Sequence, residues 1–409
     1  MNYLYILMSY CLIDKCRFCD EKLSEVINLG NNFPLAGGFM KTTEEFVSEQ
    51  TYPLSLGFCS RCYLLQCMQV INSDILFKKN YFYYSSMIPM LVNHFNSYAI
   101  RIAQMIENPA ANLVVEIGCN DGVLIRPLSK RGFNVIGIDP SDTVKKCIED
   151  GFTIYNTYFN EKLAEEIVKD HRQCDIFLSS NSFAHIDNMK TILNGIKILL
   201  KSGGLAIIEV HYSKTIIDEL QFDFIYHEHM SYYTVSSFYQ IAKLYGFSME
   251  NVEFTEIHGK SIRIFLRNQI DLHLPENVSR LIESEVHLTD PVTFINFDKK
   301  LTLWKNNFLK TLDDFSGKLI YGYGSSGRTN IICRFIDTKF DEIIDDAPSK
   351  IGSYTPIYHQ CIKSSDVIKT NPPDLLVILA WPYANDILKK IREIYNGPCL
   401  IPLPEIRIV

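Results

Sequence analysis

Basic residues do not outnumber acidic residues in this 409-residue chain. Its 40 Lys and Arg face 47 Asp and Glu, for a formal net charge of -7. A nucleic-acid-binding surface usually needs an excess of positive charge, so this balance argues against a nucleic-acid partner. An anionic ligand would have to be held by local donors, because the chain offers no overall positive field.

The chain also lacks a long hydrophobic run. No apolar stretch reaches the roughly 18 residues of a membrane span. Residues 1–13 are apolar but short and carry no basic leader, so we do not expect a secretory signal. Twelve cysteines are too few for a disulfide scaffold in a chain of this length. We therefore expect a cytoplasmic protein with no membrane partner, as a monomer or weak dimer.

Strands alternate with helices through most of the chain, and 47% of the residues are apolar. Short apolar runs predict strands at 113–117, 135–138, 175–179, 205–210, 319–323, 342–344 and 375–379. This rhythm predicts an α/β fold with parallel, doubly wound sheets. We expect a cysteine-bearing module over residues 1–75, a central Rossmann-like domain over 76–300 and a second, smaller Rossmann-like domain over 301–409.

Four cysteines stand in two CxxC pairs. Cys16 and Cys19 form the first pair, Cys59 and Cys62 form the second, and 39 residues separate Cys19 from Cys59. Each pair can present two thiolates to one tetrahedral ion, as in a zinc ribbon. Four thiolates leave no open coordination position, so we predict structural Zn²⁺. A redox dithiol and chance clustering are the alternatives.

A glycine turn follows the first central strand. Gly118 and Gly122 let the backbone pass close to a ligand at a helix N-terminus. Asp139 ends the next strand, 21 residues after Gly118, where a carboxylate can accept both ribose hydroxyls. This layout is typical of an S-adenosylmethionine site; a tight turn with a surface Asp is the alternative. The candidate cofactor residues are Glu116, Gly118, Asn120, Asp121, Gly122, Asp139 and Asn181.

Residues 226–233 hold two His, one Glu and three Tyr. Such a set can move protons near neutral pH. His185 follows the third central strand and is expected to reach the same cleft. A metal site built from His227, Glu228 and His229 is one alternative, and histidines satisfied within the core are another.

Together these motifs resemble the nucleotide-sugar C-methyltransferases that build branched deoxysugars, and the resemblance runs nearly end to end. It rests on the two CxxC pairs, the first glycine turn, Phe183-Ala184-His185-Ile186, Tyr226-His227-Glu228-His229-x-Ser231-Tyr232, His258-Gly259-x-Ser261-Ile262-Arg263 and Pro402-Leu403-Pro404-Glu405. The resemblance implies a zinc-binding N-terminal domain, a central class I S-adenosylmethionine methyltransferase domain and a Rossmann-like C-terminal domain.

The resemblance also implies a substrate and a mechanism. The substrate is a dTDP-4-keto-6-deoxysugar, methylated at C3′ after His229 removes the proton beside the C4′ ketone. Motif matching places Tyr226, Glu228 and His185 around the sugar, together with Tyr81 or Tyr83. It assigns further substrate contacts to His227, Lys260, Ser261 and Arg263.

A second glycine turn lies near the end of the chain. Gly322, Gly324 and Gly327 form a GxGxxG after a strand, and Asp345 follows 18 residues later. By itself this pattern favours NAD and an NAD-dependent nucleotide-sugar oxidoreductase or epimerase. The resemblance implies instead a scaffold without nicotinamide, whose turn is available to the sugar diphosphate. A turn that binds nothing is the third alternative.

Two functions of other kinds are alternatives to sugar C-methylation. One is a non-catalytic adaptor made of a zinc ribbon and Rossmann domains, and the other is a methyltransferase acting on protein or nucleic acid.

Three features depart from the family pattern and concern the identity of the sugar more than the reaction. Lys260 stands where glycine is usual, Pro382 stands where asparagine is usual, and the loop Asp345–Pro356 is short.

Overall fold

The structure is a computed structural model that describes residues 10–77, 84–271 and 273–409. The strands are β1 (Tyr10–Leu12), β2 (Ser24–Pro34), β3 (Thr51–Phe58), β4 (Leu65–Cys67), β5 (Gln69–Ile71), β6 (Leu113–Ile117), β7 (Asn134–Ile138), β8 (Thr153–Tyr155), β9 (Cys174–Ser180), β10 (Leu200–His211), β11 (Ser231–Tyr232), β12 (Ser248–Thr255), β13 (Ser261–Arg267), β14 (Ile320–Tyr323), β15 (Glu342–Ile344), β16 (Ile362–Lys363), β17 (Leu375–Ile378), β18 (Cys399–Ile401) and β19 (Arg407–Ile408).

The α-helices are α1 (Ser73–Phe77), α2 (Pro89–Gln104), α3 (Ile125–Ser129), α4 (Lys145–Glu149), α5 (Glu161–Asp170), α6 (Met189–Leu199), α7 (Ser213–Asp218), α8 (Val235–Leu244), α9 (Glu276–Ser284), α10 (Pro291–Asp313), α11 (Gly327–Ile336), α12 (Asp366–Thr370) and α13 (Ala384–Ile391). Within the described ranges, no helix has both the length and the apolar character needed to cross a membrane.

The central sheet has seven strands in the order β12-β13-β10-β9-β6-β7-β8. Its parallel pairs join β10 to β9, β9 to β6, β6 to β7 and β7 to β8, and β13 runs antiparallel between β10 and β12. Every residue of β6 and β9 is buried, as expected for parallel strands covered on both faces. The chain reverses its winding between β6 and β9, so a ligand cleft is expected at their carboxyl ends. The predicted class I methyltransferase fold is confirmed.

The C-terminal sheet has six strands in the order β16-β15-β14-β17-β18-β19. All of its pairs are parallel except the last, between β18 and β19. This arrangement confirms the predicted second α/β domain and puts the GxGxxG turn at the carboxyl end of β14.

The N-terminal module is a four-stranded antiparallel sheet in the order β11-β4-β3-β2. Its edge strand, β11, comes from the histidine-rich stretch far along the chain. Ser231 pairs with Gln66, and Tyr232 pairs with Leu65. The module predicted over residues 1–75 therefore borrows a strand from the central domain. A strand of two residues has no sequence signature of its own.

Helix α10 corrects one predicted domain boundary. Asp290 caps its N-terminus by accepting a hydrogen bond from the Val292 amide, and Pro291 takes the first helical position. Its apolar residues recur every three or four positions along one buried face: Phe294, Phe297, Leu301, Trp304, Phe308 and Leu312. That face packs in the same core as β2, β3 and α11. The predicted boundary between residues 300 and 301 falls inside this continuous helix and is wrong.

Candidate active site

The four paired cysteines converge in the N-terminal module. Their sulfur atoms all lie within 4.8 Å of one another, and Cys16, Cys59 and Cys62 are buried. A tetrahedral zinc ion with Zn–S bonds of about 2.3 Å needs sulfur–sulfur separations just under about 4 Å, so the cluster fits that ion with little adjustment. Cys19 and Cys59 already have their sulfurs 3.6 Å apart. All four positions are thiols, which supports the predicted structural site.

Gln66 connects the cysteine cluster to the sheet of the N-terminal module by hydrogen bonds. The Gln66 side-chain amide donates to the Cys16 sulfur at 3.2 Å and accepts from the Arg17 amide at 3.0 Å. Arg17 in turn donates to the Cys67 carbonyl at 2.9 Å. The Cys67 amide donates to the Met230 carbonyl, so a short path of bonds joins the cluster to the histidine-rich stretch.

The first glycine turn sits at the carboxyl end of β6, as predicted. Gly118 has φ +70°, and a Cβ there would lie 2.7 Å from the side chain of Ser182. Gly122 has φ +82°, and a Cβ there would lie 2.6 Å from the Cys147 sulfur. Both positions therefore require glycine on grounds of space and conformation.

Asp139 bridges the glycine turn and the loop after β7. One carboxylate oxygen accepts from the Asn120 amide at 3.0 Å, and the other accepts from the Ser141 amide and hydroxyl at 2.8 and 2.5 Å. Of the roughly four acceptor sites of a carboxylate, these bonds leave one on Oδ2 for a ribose hydroxyl. The protein bonds hold it in one orientation at the place predicted for the ribose.

The buried carboxyl group of Glu116 bears on whether a cationic cofactor fits this cleft. Its side chain is buried, and the structure shows no hydrogen-bond partner for Oε2 among the described residues. Burial raises the pKa of Glu116 well above its usual value, and the nearby Asp139 and Glu209 carboxylates raise it further. S-adenosylmethionine carries an ammonium and a sulfonium, and such positive charge would relieve this crowding of carboxylates. The residues present therefore fit the cofactor.

Asn120 and Asp121 have a task that the sequence did not indicate. Asn120 Oδ1 accepts from the Ser85 amide at 3.1 Å. Asp121 Oδ2 accepts from the Ser86 amide at 3.1 Å and from its hydroxyl at 2.5 Å. These bonds fasten residues 84–87 to the glycine turn, and the contact of both side chains with the cofactor stays a prediction. Tyr81 and Tyr83 lie outside the described residues.

Asn181 follows β9, at the point where the chain reverses its winding in the central sheet. Its side chain contacts a buried network of ion pairs. The Asn181 side-chain amide donates to Glu209 Oε1 at 3.2 Å, and Arg263 Nε donates to Glu209 Oε2 at 2.6 Å. His94 Nε2 lies 3.0 Å from the same oxygen. Burial alone would raise the pKa of Glu209, but His94 and Arg263 hold it below its usual value.

The network corrects the substrate contact predicted for Arg263. Its guanidinium is buried, stacks 3.6 Å from the centre of the Tyr98 ring and is paired with Glu209. Ser261 is also fully buried, with its hydroxyl donating to the Ile257 carbonyl at 3.3 Å. Both side chains therefore support the cleft from β13, the strand paired with β10.

His229 lies at the centre of a cluster of aromatic rings. Its Nδ1 faces the Phe224 carbonyl at 3.1 Å, and its Nε2 faces the Tyr226 hydroxyl at 2.8 Å. A carbonyl can only accept, so Nδ1 carries the proton in that bond. The neutral imidazole then has its lone pair on Nε2, which accepts from Tyr226. This is the tautomer in which Nε2 can take a proton from a substrate.

Two more histidines flank His229. The ring centres of His185 and His211 lie 5.1 and 4.9 Å from that of His229. His185 Nδ1 donates to the Glu228 carbonyl at 2.6 Å. Burial lowers the pKa of His185, against the opposing effect of its bonds to the Glu228 and Asn181 carbonyls. The predicted meeting of His185 with the histidine-rich stretch is therefore seen in the structure.

Glu228 joins this cluster to the N-terminal module. Its Oε1 accepts from the Gly37 amide at 3.3 Å, whereas Oε2 is buried and has no partner in the described ranges. Burial raises the pKa of Glu228, and the neighbouring backbone amides of Glu228, Gly37 and Ala36 oppose that rise. The raised pKa favours a protonated carboxyl that can donate a hydrogen bond.

His227 corrects a prediction. Its side chain points away from His229, with Nε2 2.9 Å from the Pro53 carbonyl and its ring against Tyr52. The residue is fully buried, and burial lowers its pKa to about 4. The predicted substrate contact and the alternative metal site of His227, Glu228 and His229 are both wrong, because successive side chains around this turn face different parts of the molecule.

Lys260 has an unusual backbone conformation for a residue with a side chain. Its φ is +83°, in the region that favours glycine. The side chain is exposed, and its ammonium lies 2.9 Å from Glu219. Its predicted contact with substrate stays a prediction.

The second glycine turn is filled by the chain itself. A Cβ at Gly322 would lie 2.6 Å from Leu379, one at Gly324 would lie 2.3 Å from Ala380, and one at Gly327 would lie 3.0 Å from Ala36. Asp345 accepts from the Ser325 amide at 2.8 Å and pairs with Lys350. These contacts explain the glycines by packing, and the contact of this turn with the sugar diphosphate stays a prediction.

Sequence reasoning missed Glu209, His211 and His94. The first two had a visible signal, because a carboxylate and an imidazole close an otherwise apolar strand at the edge where the cleft lies. His94 had none, since it lies on α2 and reaches Glu209 only through the packing of that helix on the sheet.

Three family models match consecutive parts of the chain. They describe a zinc binding domain over residues 16–77, a methyltransferase domain over 93–252 and a C-methyltransferase C-terminal domain over 256–404. Their order along the chain is that of the N-terminal module, the central sheet and the C-terminal sheet. The last match begins before α10, which agrees with the position of that helix in the third part of the molecule.

Individual proteins of known name are also similar to this chain, over different shares of its length. The C-methyltransferase NovU of Streptomyces niveus is 28% identical over 414 residues, covering 97% of each chain. An ubiquinone biosynthesis O-methyltransferase of Actinobacillus pleuropneumoniae is 29% identical over 22% of this chain and 42% of its own. The solved structure of a SAM-dependent methyltransferase from Archaeoglobus fulgidus matches with 16% identity and a TM-score of 0.34, over 42% of this chain and 94% of its own.

Proposed function

We propose that this chain, which belongs to the S-adenosylmethionine-dependent C-methyltransferases with a zinc-binding N-terminal domain, methylates C3′ of a dTDP-4-keto-6-deoxysugar in the cytoplasm. The observation that carries the proposal is the tautomer of His229. Its Nδ1 donates to the Phe224 carbonyl, and its Nε2 carries the lone pair that accepts from the Tyr226 hydroxyl. The substrate class rests on the sequence resemblance described above.

A carbon beside a ketone becomes a nucleophile only after it loses a proton, and the resulting enolate oxygen must be stabilised as it forms. His229 Nε2 takes the C3′ proton while the Phe224 carbonyl steadies the imidazolium through Nδ1. The Tyr226 hydroxyl, which donates to Nε2 in this structure, turns to donate to the enolate oxygen. S-adenosylmethionine, when bound, supplies the electrophilic methyl group.

Glu228 and His185 complete the set around the sugar. A protonated Glu228 donates from Oε2 to a sugar oxygen, in keeping with its raised pKa. His185 is kept neutral by burial and packs against His229, which shapes the pocket for an uncharged ring. Holding the carbanion in line with the methyl donor is then a matter of positioning.

The test separates proton removal from methyl transfer. Wild-type protein with S-adenosylhomocysteine and a dTDP-4-keto-6-deoxysugar in D₂O should exchange the C3′ proton, followed by NMR. His229→Asn should slow this exchange by roughly 10²–10⁴-fold, the usual loss when a general base is removed. Binding of both ligands, measured by calorimetry, should persist because asparagine has a similar shape.

The surface residue His287, which pairs with Asp218, provides the matched control. His287→Asn should exchange and methylate at the wild-type rate. Normal exchange by His229→Asn would overturn the assignment of the base and leave His185, Tyr81 and Tyr83 as candidates. Mass spectrometry with S-adenosylmethionine and a panel of keto sugars identifies the substrate, and no methylated sugar from any of them would overturn the proposed substrate class.

A further inference from the structure

Asp223 is a fully buried carboxylate that the reaction does not use. It lies three residues before Tyr226, and the C-terminal domain supplies its partners. Arg328 Nε and Trp381 Nε1 both donate to Asp223 Oδ2 at 2.8 Å. The other oxygen, Oδ1, is buried without a hydrogen bond to any described residue.

Arg328 also makes a stacking contact. Its guanidinium carbon lies 3.7 Å from the centre of the Phe224 ring and 5.1 Å from that of Trp381. Arg328 stands in the first turn of α11, directly after Gly327. The second glycine turn thus directs a cation onto residues 223 and 224 of the central domain.

Phe224 carries these contacts to the base. Its carbonyl accepts from His229 Nδ1 at 3.1 Å and from the Tyr232 hydroxyl at 3.4 Å. Its ring lies 4.9 Å from that of His211. A shift of Phe224 would therefore move the group that decides which nitrogen of His229 holds the proton.

We propose that Arg328 and Trp381 are positioning residues for His229, acting through Asp223 and the Phe224 carbonyl. This rests on the proposed role of His229 as base. A buried carboxylate needs a charged or hydrogen-bonding partner to remain buried, and both described donors come from the C-terminal domain. Removing them frees the 222–224 turn, since a lone carboxylate would move towards water. The C-terminal domain thereby fixes the tautomer of an imidazole on another domain.

The experiment uses three substitutions in the full-length zinc-containing enzyme. Arg328→Met removes the charge, Arg328→Lys keeps the charge but loses the planar stack, and Trp381→Phe keeps a ring but loses the donor. Arg334→Met is the matched control, because Arg334 lies on the same helix and donates to the Asn31 and Asn32 carbonyls, away from Asp223.

Three quantities are measured: C3′ proton exchange as a function of pH, the ¹⁵N spectrum of His229, and affinity for S-adenosylhomocysteine. Arg328→Met should slow exchange by roughly 10- to 100-fold, as expected for a misplaced catalytic group. Trp381→Phe should slow it by roughly tenfold, the loss of one bond to a charged acceptor. The ¹⁵N spectrum should show a mixture of tautomers, and the pH profile should shift. Affinity for S-adenosylhomocysteine should stay within about twofold.

Unchanged exchange and an unchanged ¹⁵N spectrum in all three variants would overturn the positioning role, even with His229 confirmed as base. Equal losses in Arg334→Met would overturn it too, by showing general damage to the domain contact. If Arg328→Met does not fold, Arg328→Lys and Trp381→Phe decide the matter. If His229→Asn exchanges normally, the base is wrong, but the tautomer of His229 still tests the positioning.

Discussion

At the carboxyl edge of the central sheet, burial makes the charged form of the Glu116 carboxyl unfavourable. A positively charged ligand bound beside it would make that form more favourable. Burial raises the pKa of Glu116 well above its usual value, and the Asp139 and Glu209 charges add to that rise. The folded protein therefore holds a proton on Glu116 at pH values where the unfolded chain has lost it. Folding stability from this residue must fall as pH rises from the unfolded pKa, about 4.5, through the higher folded pKa.

Glu116→Gln should accordingly flatten the pH dependence of stability. Glutamine is neutral at every pH, so it removes a slope of up to about 1.4 kcal/mol per pH unit within that window. Chemical denaturation of both proteins without cofactor from pH 5 to 8 would show the variant gaining relative stability as pH rises. Glu283→Gln, at an exposed position on α9, is the control. Parallel curves for wild type and Glu116→Gln would contradict the prediction.

At the scale of elements, the pairing of β11 with β4 joins the cysteine cluster to the histidine-rich stretch. Gln66 bonds the Cys16 sulfur and lies opposite Ser231 in the sheet. The Cys67 amide donates to the Met230 carbonyl, one residue after His229. An ordered cysteine cluster thus supports the strand that follows His229.

Removing zinc should reduce the protection of β11 from hydrogen exchange before it reduces the protection of the strands in the C-terminal sheet. Elemental analysis should find one zinc per chain, and a chelator should increase hydrogen exchange at the amides of residues 230–232. Protection of β17, in the C-terminal sheet, should stay unchanged at low chelator concentration and serves as the control. Faster hydrogen exchange in β17 without faster exchange at residues 230–232 would contradict the predicted link between zinc and β11. Purified protein with well under one zinc per chain would contradict the zinc site itself.

At the scale of the whole molecule, the three parts share a core. One buried cluster contains Leu56 of the N-terminal module, Phe222 of the central domain, and Trp304 and Ile331 of the third part. The loop at Ala36 also touches the other two parts, because its carbonyl accepts from Asn330 and its neighbour Gly37 bonds Glu228. The three sequence domains should not unfold independently.

Leu56→Ala should therefore weaken all three parts together. Truncating a fully buried leucine costs about 2–5 kcal/mol. Calorimetry should show one transition moved to lower temperature, with β17 losing protection alongside β3. The control is Val47→Ala in the same module, where the side chain is almost fully exposed. Two separate transitions, with that of the C-terminal sheet unmoved, would contradict a shared core.

Short local patterns were enough to predict much of this molecule. Two CxxC pairs within one segment predict four thiols at one ion, since each pair puts two sulfurs on one turn. Alternation of apolar strands with helices predicts both parallel sheets, because that rhythm reflects burial on two faces. The glycine turn and Asp139 follow from the need for close backbone approach at a strand end. These features depend on neighbours within a few tens of residues, where sequence spacing determines geometry.

Tertiary structure alone decided which polar residues meet. His227 and His229 are two positions apart, yet one enters the core beside Pro53 and the other faces Tyr226. Arg263 pairs with Glu209, and Arg328 reaches Asp223 across 105 positions. Such pairs depend on strand register, on the borrowed strand β11 and on how α11 packs. The free energy that selects them is spread over many contacts distant in sequence, so no local pattern records it.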